Sequence, residues 1–496
     1  MPSREFIKRY RKEVDRQMRQ DDGRFRQHIH VAPLVGWLND PNGLCELKGT
    51  FHAYFQASPF DARGGLKCWG HATSKDLIHW TYEDPALEPD CSYDRDGAYS
   101  GSALVEDGHM SLYYTGNVKS ANAQCDYITS GREANTILTR SEDGFAFGAK
   151  QLLMTQADYP SNLTQHVRDP KVWRAKGEEL EASVRLGLGP YFMLQGARTL
   201  EDKGEALLFS SPDGFEWQFL QALRQVDSKG YMWECPDYLF VKANDFSSAP
   251  KHILSASVQG LAEQMDRAAN SHQSGYFHLT TWPWNDSSEV EGDFTPWDYG
   301  FDFYAPQSFV ADDGRVIMMA WMGAVDECTF DNEPTVTRGW QHCLTIPREV
   351  ELGPDGKVRT PPVRELFSLR NNPCIEAEGH LGLDETECFD LEIDGIGTKG
   401  ARVVISNQLV VSLSDHELTV QFEKTERDSI GCGRTVRKAL VNAGSSLRII
   451  GDASSIEVFV DQGDTCLSTR YYPKEYGIDV LSPGSRIACW KYETEE

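Results

Sequence analysis

Ser211-Pro-Asp-Gly-Phe-Glu-Trp217 is the third appearance of one short phrase. Ser74-Lys-Asp-Leu-Ile-His-Trp80 and Ser141-Glu-Asp-Gly-Phe-Ala-Phe147 share its pattern, Ser-x-Asp-(Gly/Leu)-x-x-aromatic, and the copies stand 67 and 70 residues apart. Each reads as a hairpin turn whose aromatic begins the next, outer strand. Around the copies run short strands, such as 51–56, 111–114 and 316–321, separated by Gly, Asp, Asn and Pro turns. Several short strands per repeat at this period describe a β-propeller blade with long loops. Residues 26–350 hold about five such periods, so the spacing predicts five blades.

The texture changes on either side. In residues 1–25, Phe6, Tyr10, Val14 and Met18 recur every four positions among charged neighbours, which predicts a short amphipathic helix. That helix is expected to pack on the body of its own chain, with a dimer contact as the alternative, so monomer and homodimer both stay open. Pro354, Pro361, Pro362 and Pro373 punctuate residues 351–374, which read as a linker. From 375 to 496 alternation returns. Ile456, Val458 and Val460 face one way and Glu457, Phe459 and Asp461 the other, with Asp461-Gln-Gly463 as a turn. About 120 residues of this kind suit a β-sandwich. The expected fold is all-β: a five-bladed propeller, then a C-terminal sandwich, with a short N-terminal helix.

Charge and composition exclude several partners. Asp and Glu number 75 against 49 Lys and Arg, a formal charge of −26, which repels phosphate backbones and anionic bilayers. The longest apolar run, 316–325, is about half a membrane span. Residues 1–30 lack the apolar core of a signal peptide. The 12 cysteines are scattered singly with no CxxC, the pattern of free thiols in a reducing cytoplasm. A cytoplasmic protein acting on a small molecule is therefore expected, without nucleic-acid or membrane partners. No HExxH, P-loop or zinc spacing occurs, and Gly395-Ile-Gly-Thr-Lys-Gly400 leads into a strand where a dinucleotide site needs a helix. No cofactor and no metal are expected.

Three acidic residues stand beside prolines: Asp40 in Asn39-Asp-Pro-Asn-Gly43, Asp169 in Arg168-Asp-Pro170 and Glu234 in Glu234-Cys-Pro236. Taken singly, each suits an ordinary turn or ion pair. Asp40, Gly101, Asp169, Glu234 and Tyr304, however, are separated by 61, 68, 65 and 70 residues, one landmark per blade. Equivalent positions of successive blades converge on the axis, so the three carboxylates are expected to meet in one funnel. Crowded like charges drive pKa values apart and yield a carboxylate nucleophile beside a protonated acid, the requirement of retaining glycoside hydrolysis. Trp37, Trp69, Trp233 and Trp321 offer candidate sugar faces, and Asn39, Gln56, Ser100 and Arg168 candidate hydroxyl partners.

The sequence resembles glycoside hydrolase family 32, the invertase and fructanase group. The likeness rests on Asn39-Asp-Pro-Asn-Gly43, Tyr54-Phe-Gln56, Trp69-Gly-His71, Tyr99-Ser-Gly-Ser102, Tyr114-Thr-Gly-Asn117, Arg168-Asp-Pro170, Glu234-Cys-Pro236 and Phe303-Tyr-Ala305, in the family's order. Leu344-Thr-Ile-Pro-Arg348 and Ile456-Glu-Val-Phe-Val460 extend it. The resemblance implies a propeller followed by a sandwich, with Asp40 as nucleophile, Glu234 as general acid/base and Asp169 as transition-state stabiliser. It implies that Asn39, Gln56, Trp69, Tyr99, Ser100 and Arg168 hold the fructosyl ring. Leu38, where the family often has Met, is a small departure.

Within the family the chain is most similar to the intracellular bacterial sucrose and sucrose-6-phosphate hydrolases, through Lys67, Tyr114-Thr-Gly-Asn-Val118 and Gln273-Ser-Gly-Tyr276. The implied activity is β-fructofuranosidase action on sucrose, sucrose-6-phosphate or short fructo-oligosaccharides. Lys67 and Arg267 are the candidate phosphate contacts. Fructosyl transfer to another sugar, and a non-catalytic sugar-binding protein on the same scaffold, are the alternatives.

Overall fold

The computed structural model describes residues 2–121, 124–225, 230–243, 249–261, 270–284, 290, 292–323, 331–414, 416–441 and 446–492. Five separate antiparallel sheets follow one another along the chain. Their innermost strands are β1 (Gly36–Leu47), β2 (Ala98–Glu106), β3 (Leu163–Arg174), β4 (Met232–Val241) and β5 (Tyr304–Val310). Each sheet then steps outward by consecutive hairpins, the second blade, for example, through His109–Lys119, Arg132–Ser141 and Gln151–Met154. The ring closes where Trp340-Gln341 pairs in parallel with Gly36-Trp37, so chain from beyond the fifth inner strand hydrogen-bonds to the first blade.

The repeated phrase is what turns each outer hairpin in three blades. Asp76, Asp143 and Asp213 each fold one carboxylate oxygen back onto two backbone N–H groups, at 2.9–3.1 Å, 2.8–2.9 Å and 2.8–3.0 Å. The preceding Ser donates to the same oxygen. The position after Asp is left-handed in every copy, Leu77 at φ 65°, Gly144 and Gly214 at φ 79°. Glycine suits that geometry in two copies. Leu77 accepts the strain because its side chain is 1% exposed in the apolar core below.

The fifth blade runs past residue 350. Arg348–Leu352 pairs with Val316–Trp321 and with Val358–Arg359, so part of the proline-rich stretch read as a linker is blade. Pro354 lies in the turn between Arg348–Leu352 and Val358–Arg359, and Pro361 and Pro362 follow the second of these strands, where a missing N–H costs no ladder bond. From Ile375 onward ten strands form the sandwich, and the long Gly477–Lys491 strand serves both layers. Its first half pairs with Ala401–Ile405 and its second with Phe389–Asp394.

The two units are locked by buried charge. Arg348 of the fifth blade bonds Glu457 of the sandwich and Asp298, and His30, ahead of β1, sits between Asp452 (2.7 Å) and Glu457 (3.1 Å). Arg434 of the sandwich grips Asp302 with two bonds of 2.7 Å. Ile456, Val458 and Val460 fill the sandwich core as their alternation predicts, while Glu457 and Phe459 face the propeller and are equally buried.

Helix α1 (Arg4–Met18) is capped by Ser3, whose hydroxyl accepts from Phe6 N. It packs on its own chain through the Phe6–Phe60 edge contact and the Arg11–Asp84 ion pair. The apolar stripe stops short of Met18, which is 53% exposed; Gln17 is the buried residue there, donating to the carbonyl of Arg338. Among the described residues no helix is long and apolar enough to cross a membrane.

Candidate active site

Every inner strand carries a β-bulge. Asn39-Asp40, Tyr99-Ser100, Asp169-Pro170, Cys235-Pro236 and Ala305-Pro306 each set two residues against one on the neighbouring strand. A bulge leaves a residue unpaired, bends the strand and re-aims a side chain. Proline is tolerated there because no ladder bond is required of it. Asp169, Cys235 and Ala305 adopt φ of 66°, 45° and 50° at these points. The three acid–proline motifs are thus three of the five bulges of one ring. Gly101 follows the second bulge, where an added Cβ would stand 2.0 Å from the Tyr113 carbonyl oxygen, so only glycine lets these strands approach.

Asp40 is half-buried and held by four neighbours. Ser100 Oγ donates to its Oδ2 at 2.5 Å, Gln56 Nε2 to the same oxygen at 3.3 Å, and Asn39 Nδ2 to Oδ1 at 3.1 Å. Trp37 Nε1 donates to Asn39 Oδ1 at 2.9 Å and fixes that amide. The Cys235 thiol lies 3.8 Å from Asp40 Oδ2. Asp169 is deepest, at 3% exposure; its Oδ2 accepts from Cys235 N at 3.0 Å, and its own N–H donates to Thr115 Oγ1 at 2.8 Å. Glu234 is half-buried. Arg168 Nη2 donates to Oε1 at 2.7 Å, while Tyr304 OH and Gln259 Nε2 donate to Oε2 at 2.7 Å and 2.6 Å. Cys235, directly after Glu234, thereby touches both other carboxyls.

Crowding splits the three acids, though not in the expected order. Burial pushes Asp169 up to about 7, with Glu234 and Asp40 adding repulsion and Arg168 opposing. Burial also raises Asp40, against the pull of Ser100, Asn39 and Lys67. Burial pulls Glu234 upward too, but Arg168, Tyr304 and Gln259 outweigh it and hold this carboxyl below its ordinary value. The acid expected to carry a proton is therefore held toward its anion, because three donors favour the charged form.

The ring brings together Asp40, Asp169 and Glu234, whose meeting the spacing predicted, with Asn39, Gln56, Ser100 and Arg168 beside them. Tyr99 is half-buried beside Ser100. Lys67 is also at the site, its Nζ 4.7 Å over the Trp37 ring, and burial lowers it to about 8 despite the attraction of Asp40. Arg267 lies outside the described residues. Trp69 departs from expectation: it is 0% exposed, donates to Tyr99 O at 3.0 Å, and packs against Tyr54 and Tyr114. It supports the backbone of the second bulge and presents no open face. Trp233 is likewise core, stacked on Phe277. Tyr304 entered the sequence reading only as a landmark, and Gln259 not at all. Gln259 pairs with Met232, two residues before Glu234, a register no local pattern announces.

Residues 30–362 match the family described as Glycosyl hydrolases family 32 N-terminal domain, and residues 397–491 match Glycosyl hydrolases family 32 C terminal. The chain is 35% identical over 460 residues to a sucrose-6-phosphate hydrolase of Bacillus subtilis (strain 168). It is 36% identical over 464 residues to a raffinose invertase of Escherichia coli. Each alignment covers 90% of this chain and 89% of the relative. The solved structure of sucrose-6-phosphate hydrolase from Lactobacillus gasseri shares the fold, with TM-score 0.84 at 24% identity over 98% of this chain and 96% of that one.

Proposed function

The chain belongs to glycosyl hydrolase family 32, and from that premise we propose that it is a retaining β-fructofuranosidase that splits sucrose, or sucrose phosphorylated on its glucosyl unit, through a fructosyl–Asp40 ester. The observation that carries this reading is the ring of bulges that gathers Asp40, Asp169 and Glu234. Asp40 has its carboxylate oriented by Ser100 and Asn39 and attacks the anomeric C2 of the fructosyl unit. The C2–O bond breaks, and Glu234 delivers a proton to the departing glucosyl oxygen. Asp169 holds ring hydroxyls more tightly as the ring flattens toward an oxocarbenium ion. Glu234, now a base, takes a proton from water, which opens the ester and releases fructose.

The electrostatics of the trio place the proton. Asp169, raised to about 7, is the carboxyl of the trio that binds a proton most readily near neutrality. Sugar hydroxyls donating to Asp169 stabilise its ionised form, and its new charge repels that of Glu234. The proton then belongs on Glu234, beside the leaving oxygen. Binding of the correct sugar thus arms the acid.

The test is incubation with sucrose, sucrose-6-phosphate, kestose and inulin, the products being resolved by chromatography. Asp40→Ala and Glu234→Ala are each expected to abolish glucose release. A variant that keeps a near wild-type rate would overturn the role given to its residue.

A further inference from the structure

Buried and half-buried cations in this acidic chain are mostly met by carboxylates. Arg168 meets Glu234, Lys171 meets Asp237, Arg348 meets Glu457 and Arg434 meets Asp302. Arg132 differs. Among the described residues no carboxylate lies within ion-pair distance of it, and its Nε is buried without a hydrogen-bond partner. A desolvated guanidinium N–H left unpaired is costly, and an incoming anion recovers that cost.

Its position suits one. Arg132 opens the third strand of the second blade and stands opposite Lys119, beyond the Ala98–Gly116 pair where β2 begins, at the same end as the bulges. Its backbone N–H donates to Gln165 Oε1 at 2.7 Å, which ties it to β3 three residues before Arg168. The neighbouring His166 accepts from Arg168 Nη1 and donates to Tyr127 O. Burial and the charges of Arg168, Arg132 and Arg198 keep this imidazole neutral, its pKa lowered to about 3. Of these three arginines, Arg168 is committed to Glu234 and Arg198 to Asp202. Arg132 alone is uncommitted, within electrostatic reach of Tyr99 and Glu234. Glu234 marks the leaving-group side, because it protonates the departing oxygen.

We propose that Arg132 recognises the phosphoryl group of a sucrose phosphorylated on its glucosyl unit, gripping it with the free edge of its guanidinium. The assignment rests on the hydrolase reading above. A planar fork pairs two N–H groups with two oxygens of a phosphomonoester, which a point charge such as Lys67 does not do. Lys67, whose carbonyl accepts from Ala98 N at 2.9 Å, acts instead on Asp40.

The experiment compares kcat/KM on sucrose-6-phosphate and on sucrose for the wild type, Arg132→Gln and Arg132→Lys, with melting temperatures as the check on folding. The wild type is expected to prefer the phosphorylated sugar. Arg132→Gln is expected to cut that preference at least tenfold, through KM, and Arg132→Lys to restore part of it. Glucose-6-phosphate should compete with sucrose in the wild type and at least tenfold more weakly in Arg132→Gln. A wild type without preference overturns the phosphorylated-substrate reading itself. A preference that survives in Arg132→Gln overturns the role of Arg132 alone. Inorganic phosphate competing as well as glucose-6-phosphate assigns the site to free phosphate and overturns the substrate assignment. Should Arg132→Gln not fold, Arg132→Lys, which keeps the charge and loses the fork, is read against the same outcomes.

Discussion

Replacing Tyr304 by Phe removes one oxygen and leaves the ring, which is 4% exposed and set edge-on to Trp321. That oxygen is one of two donors to Glu234 Oε2, the other being Gln259 Nε2. Burial and the adjacent carboxylate keep the Tyr304 hydroxyl well above its ordinary pKa, so it donates throughout the working range. A hydrogen bond to an ionised group contributes about 1.5–3 kcal/mol. Gln259 and Arg168 remain, so the low end applies, and about 1.4 kcal/mol is one pKa unit. Losing a donor to the charged form makes that form less favourable, so the Glu234 pKa rises by about one unit. Glu234 must be protonated to release the leaving group, and the basic limb of kcat against pH reports the acid of the substrate complex, where the proton sits on Glu234. In Tyr304→Phe that limb should therefore move about one unit to higher pH, measured on sucrose from about pH 4 to about pH 9. A limb that stays in place or moves to lower pH refutes the claim that these donors hold the acid down.

Two further outcomes follow from the same contacts. His30 is buried between Asp452 and Glu457, which raise its pKa against the opposing pull of burial. Its stabilising charge is fully present below the unfolded value of about 6.5 and is lost as pH climbs through the higher folded value. His30→Asn should cost about 3–5 kcal/mol at neutral pH and below, about 3–5 °C in Tm for a chain of this length, and should flatten the alkaline decline in stability; a calorimetric scan showing an unchanged pH profile refutes the lock. Lys67→Ala removes the cation beside Asp40 and Trp37 and should lower kcat/KM on sucrose and on sucrose-6-phosphate by similar factors; a loss confined to the phosphorylated sugar would move phosphate recognition from Arg132 to Lys67.

The sequence by itself determined the period, the blade count and the three acids. Those features are local: an Asp that caps two N–H groups of its own turn, a proline that cannot join a ladder, and an alternation such as Ile456, Val458, Val460 all act within a few residues. Asn39, Ser100 and Arg168, which the sequence offered as sugar-hydroxyl partners, lie in hydrogen-bond contact with the acids, because each adjoins an acid in the chain or repeats its blade position. Tertiary structure alone decided the rest. Whether Trp69 faces a sugar or the core depends on Tyr54 and Tyr114, 15 and 45 residues away. Glu457 reads as a solvent-facing strand residue until a second unit supplies Arg348 and His30. What holds the Glu234 carboxyl below its ordinary value includes, beside Arg168, Tyr304 and Gln259, placed by strand register 70 and 25 residues beyond it. Burial, register and electrostatic balance are sums over neighbours that the chain brings together only on folding, and no local pattern encodes them.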